Sequence, residues 1–71
     1  MIKTYQFHPK YPKMFHVYSS CTLEDAFHTA RSLMSHGYRA IVEAPNAIYV
    51  GQSHGSITMV RDANQLNKMF A

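Results

Sequence analysis

The sequence predicts a small α+β domain: an antiparallel sheet in the order β-β-α-β-β-β-α, with one main helix on one face and a short C-terminal helix. Three observations carry this. A capped apolar stripe of helical period runs through residues 22–36. Residues 38–60 hold three short alternating segments joined by turn residues. Residues 1–18 are rich in aromatic and β-branched side chains on both sides of a proline-containing stretch. Seventy-one residues make one domain, and a chain near this size buries only about 60% of the surface its unfolded form exposes. Its apolar content of 46%, against 15% charged residues, is enough to build a core.

Residues 1–18 read as a basic aromatic hairpin, with strands Ile2–Phe7 and Met14–Tyr18. Pro9 and Pro12 in the connection cannot donate to a ladder and suit a loop. The alternative is an irregular arm in which only the second strand forms. The helix, 22–36, is the best-specified element. Thr22 can cap it, because a hydroxyl there accepts from an amide of the first turn that has no helical partner. Asp25 follows three residues on, and Glu24 and Asp25 suit the positive end of the helix dipole. Leu23, Ala26, Phe27, Ala30, Leu33 and Met34 form the apolar stripe. Burying its four large members contributes roughly 1.5–3 kcal/mol each, before ordering costs. Gly37 is placed to end the helix in a left-handed conformation.

Residues 38–60 then read as an antiparallel meander of Tyr38–Ala44, Ala47–Gly51 and Ser56–Val60. Pro45-Asn46 is turn chemistry, and Gln52–Gly55 is a polar loop. Alternation puts Tyr38, Ala40, Val42 and Ala44 on one face of the first strand, and Ile48 and Val50 opposite Tyr49 in the second. Tyr49 is expected on the face away from the helix. The other end of the chain, 62–70, reads as a short helix capped by Asp62, with Ala63, Leu66, Met69 and Phe70 at helical spacing.

The net charge is +3, and its distribution is uneven. Lys3, Lys10 and Lys13 lie in residues 1–23 with no acid among them. The four cations and four carboxylates of the remainder cancel. The longest unbroken apolar runs, Ala40–Val42 and Ala47–Val50, are far too short to cross a bilayer, and the first ten residues have no signal-type apolar stretch. The expectation is a cytoplasmic, non-secreted domain with no membrane partner. The single cysteine, Cys21, forms no intrachain disulfide and suits a reducing compartment.

No catalytic constellation is legible. Among five histidines no pair has the i, i+4 spacing that lets two imidazoles share an ion. His28 and His36 stand about 80° apart in helical projection, and His8 and His16 can meet across the hairpin but lack an acidic or cysteine neighbour. Cys21 precedes a helix start, which favours a thiolate, yet no base and orienting group accompany it. Glu24 and Asp25 are accounted for by capping, and no other carboxylate pair is spaced for acid–base work. Gly51 and Gly55 bracket a hairpin connection and not a phosphate loop. The expectation is no enzyme, no metal, no cofactor and no small-molecule substrate.

What remains is binding. Lys3, Tyr5, Lys10, Tyr11, Lys13, Tyr18 and Tyr49 are the candidate partner-binding residues: lysines meet acidic surfaces, and tyrosine is typical of interface centres. The first reading is a protein-interaction domain, an inhibitor or adaptor whose partner is another protein or a second copy of the chain. The second is a nucleic-acid-binding domain, in which lysines neutralise phosphates and rings stack on bases. The order of strand, helix start Thr22-Leu23-Glu24-Asp25-Ala26, Gly37-Tyr38 and strand resembles small phage-encoded inhibitors that bind host enzymes. The resemblance covers about half of the chain, transfers no residue roles, and implies a domain that works by binding and blocking.

Overall fold

In the computed structural model, which describes residues 1–8, 10–11, 15–51 and 55–61, Thr22 opens a helix, α1, over Leu23–Ser35. Its hydroxyl accepts from the Asp25 N–H at 3.2 Å, as capping chemistry requires. At the other end the Gly37 N–H donates to Met34 O at 3.0 Å and the Tyr38 N–H to Leu33 O at 3.1 Å. This crossed pair is the Schellman arrangement, and it needs a left-handed residue at Gly37, where φ is 90°. Local chemistry alone therefore sets both ends of α1.

Five strands surround it in sequence: β1 (Ile2–Phe7) and β2 (Phe15–Ser20) before the helix, then β3 (Arg39–Ala44), β4 (Ala47–Gly51) and β5 (Ile57–Val60). They form one sheet in the order β2-β1-β3-β4-β5, antiparallel throughout. The expected meander over 38–60 is present as β3-β4-β5. The hairpin joins it through β1, whose Thr4 pairs with Val42 and Gln6 with Ala40. The second hairpin strand runs from Phe15 to Ser20 and not from Met14 to Tyr18; Met14 lies outside the described residues.

The order β-β-α-β-β-β-α is corrected to β-β-α-β-β-β, because the described residues contain a single helix. The second helix expected over 62–70 falls outside the described residues, and nine residues are fewer than the roughly 12–15 a helix needs to persist without packing. No helix among the described residues is long and apolar enough to cross a membrane.

The core between α1 and the sheet is built from small side chains. Ala26 and Ala30 of the helix meet Ala40 and Val42 of β3, all buried, with Ile2, Leu23, Phe27, Met34, Tyr49 and Ile57 packed around them. Gly51 extends this seat: a Cβ there would run into Met34 Sδ and sit 3.4 Å from Ala40 O. The large helix residues expected to fill the core thus form its border. Val50 and Val60 are buried as well, and their register with Ile41 and Ile48 puts them on the opposite face.

Candidate functional site

The β1–β2 end of the sheet is arranged differently. Cross-strand partners share a face, so the pairs Lys3–Ser19, Tyr5–Val17 and Phe7–Phe15 all lie opposite α1. The pairs Tyr5–Ile41, Phe7–Arg39 and Lys3–Glu43 continue that face onto β3. Three rings cluster there: Tyr5 and Phe7 with centroids 6.4 Å apart, Tyr5 and Phe15 at 6.2 Å, and Phe7 and Phe15 at 5.8 Å. Tyr5 and Phe7 are half-buried by their neighbours. Phe15 is 52% and Val17 45% exposed, both on β2, an edge strand. An apolar patch therefore lies open on this face, with exposed Lys3 opposite Glu43 at one end and exposed Arg39 at the other.

The other face of the same end carries a cavity of about 180 Å³ lined by Gln6, His8, Tyr11, His16 and Tyr38. The residues after β1 fold back on His8: the Tyr11 N–H donates to His8 O at 3.2 Å, and the Lys10 N–H to His8 Nδ1 at 3.1 Å. The His8 ring stands 5.1 Å from that of Tyr11 and 5.9 Å from that of Tyr38. Gln6, only 9% exposed, accepts from the Tyr18 hydroxyl through Oε1 at 2.7 Å.

The candidate residues from sequence thus separate into groups. Lys3 and Tyr5 belong to the open face. Lys10 is exposed in the segment after β1, and Tyr11 is exposed beside His8 at the cavity. Lys13 lies outside the described residues. Tyr18 sits on the α1 side of β2 and is tied to Gln6.

Tyr49 is a correction. It pairs with Val42 and shares the helix face, where its ring meets Phe27 edge-on at 4.9 Å. The Arg31 guanidinium lies over the other partner, 5.8 Å from the Phe27 ring centroid. Tyr49 is scaffold. Alternation alone could not show this, because β4 is apolar on both faces and does not reveal which one the helix takes.

Phe15 and Val17 as contact residues, and Gln6 and Tyr38 as neighbours of the cavity, are not marked in the sequence by spacing or composition. Pairing of Phe7 with Phe15 was the signal for the first two, available once the hairpin register is known. His8 and His16, which the spacing allows to meet across the hairpin, both line the cavity. Among the described residues no group of three or more His, Cys, Asp or Glu is placed to hold a metal ion. Cys21 is exposed between β2 and α1. Comparison with protein families, curated proteins and solved structures finds no match for this chain.

Proposed function

We propose that this chain is a small non-catalytic protein-interaction domain that docks through the face of its β1–β2 hairpin opposite the helix. The observation that carries this is the exposure of Phe15 and Val17 beside the Tyr5–Phe7 rings. Apolar side chains held open together on a sheet are a feature of contact surfaces. Aromatic anchors surrounded by weaker contacts are where binding energy concentrates. The partner expected is a protein surface with apolar side chains ringed by carboxylates, since the chain's whole charge excess lies in Lys3, Lys10 and Lys13.

The test compares the parent chain with the double variant Phe15→Ser/Val17→Ser in cross-linking and capture after nuclease treatment. Both positions are surface positions on an edge strand, so circular dichroism should show an intact fold. The expected result is one defined protein captured by the parent and weakened at least tenfold by the variant, which corresponds to about 1.4 kcal/mol. Equal capture by both chains defeats the proposal.

A second reading is favoured by the same rings. Three aromatic side chains on one sheet face, with cations near its margins, form a surface on which unpaired bases stack. The lysine count weighs against it, since Lys3 stands opposite Glu43 and few phosphates could be neutralised. Titration with a labelled single-stranded oligonucleotide separates the two. Binding that falls steeply with salt and is lost in the double variant would favour nucleic acid over protein.

A further inference from the structure

We propose that the cavity between Gln6, His8, Tyr11, His16 and Tyr38 is an oxyanion site, shaped for one phosphate or carboxylate group. The argument is the hydrogen-bonding capacity left to its lining. His8 Nδ1 already accepts from the Lys10 N–H, so the proton of the neutral ring sits on Nε2, and that nitrogen is a donor. Gln6 Oε1 is taken by the Tyr18 hydroxyl, so what Gln6 can offer the cavity is its NH2 group. Tyr11 and Tyr38 add two phenolic hydroxyls, and His16 adds a second imidazole. The described lining holds no carboxylate.

Charge agrees with this donor count. Four of its five lining residues lie in residues 1–23, which contain no acid, and the Lys10 backbone is held against the His8 ring. An anion is therefore favoured there and a cation disfavoured, although an aromatic lining could otherwise suit a quaternary ammonium. A volume of about 180 Å³ admits a phosphate or carboxylate with part of the group that bears it. The rings of His8, Tyr11 and Tyr38 supply flat walls along that group. The site lies on the α1 side of the hairpin, opposite the patch around Phe15, so its failure would leave the docking proposal standing.

The experiment follows the ring protons of His8, His16, His28 and His36 by NMR during three titrations at constant ionic strength and pH. The probes are sodium phosphate, sodium acetate and tetramethylammonium chloride. His28 and His36 are exposed on and after α1 and serve as internal controls. The expected result is saturable shifts at His8 and His16 with an oxyanion and not at the two controls. Saturation by phosphate identifies a phosphate ligand, and saturation by acetate a carboxylate; either supports the site. Saturation by neither, equal shifts at all four histidines, or saturation by tetramethylammonium overturns it. His16→Gln, on the exposed edge strand, should weaken oxyanion binding read at His8 about tenfold, the size of one lost hydrogen bond to a charged group. Unchanged binding in that variant removes His16, and with it the assignment.

Discussion

Thr4 is fully buried on β1, an interior strand of the sheet, and among the described residues its Oγ1 has no hydrogen-bond partner. A hydroxyl removed from water without compensation costs roughly 1–3 kcal/mol on protein mutational scales. Thr4→Val keeps the shape and replaces the hydroxyl by a methyl. We expect it to raise stability by about 1 kcal/mol, a melting shift of about 4–8 °C for a chain of this size. A thermal melt that moves down would show that the hydroxyl is engaged. Residue-scale features of the helix were legible beforehand for the opposite reason. The Thr22 cap and the left-handed Gly37 are local, and need only their neighbours within a few positions to work. Thr4 gave no such signal. Its burial depends on β3 and α1 arriving from far along the chain.

At the scale of elements, α1 lies on the sheet through alanines. Ala26 and Ala30 face Ala40 and Val42, and Gly51 admits Met34. Ala30→Leu tests this seat. Leucine is nearly as good a helix former as alanine, so any loss must come from packing. Overfilling such a contact costs about 1–3 kcal/mol. A urea midpoint that falls by that amount, with the dependence on urea unchanged, is the expected outcome. An unchanged midpoint would show that the helix can lift off its seat freely. The stripe of Leu23, Ala26, Phe27, Ala30, Leu33 and Met34 was readable as periodicity, but not which of its members would be central. Stripe membership is a matter of angle along the helix, whereas depth depends on how close the sheet comes. Tyr49 was misplaced on the same grounds, since both faces of β4 are covered.

For the whole molecule, stability is unevenly shared. Among the described residues the largest fully buried side chains are Val42, Val60 and Thr4. β1, β3 and β4 are paired on both sides, whereas β2 is an edge strand that is exposed over almost its whole length. Native-state hydrogen exchange should therefore find the slowest amides in β1, β3 and β4. The amides of β2 should open well before global unfolding. Uniform protection across all five strands would contradict that distribution. The same asymmetry explains what the sequence could not reveal about the candidate sites. The cavity draws on residues 6, 8, 11, 16 and 38, which become neighbours only when β1 lies between β2 and β3. Neither composition nor spacing records that insertion.

The placement of β1 also has a consequence for synthesis and truncation. β1 is made before β3 and lies between β2 and β3 in the finished sheet, yet its pairing with β3 must wait until Glu43 has been made. Until then it has only β2 beside it, and an isolated two-stranded ribbon is barely stable in water. Trimming the first seven residues would consequently not shorten the protein at one edge. It would cut β2 off from β3, β4 and β5.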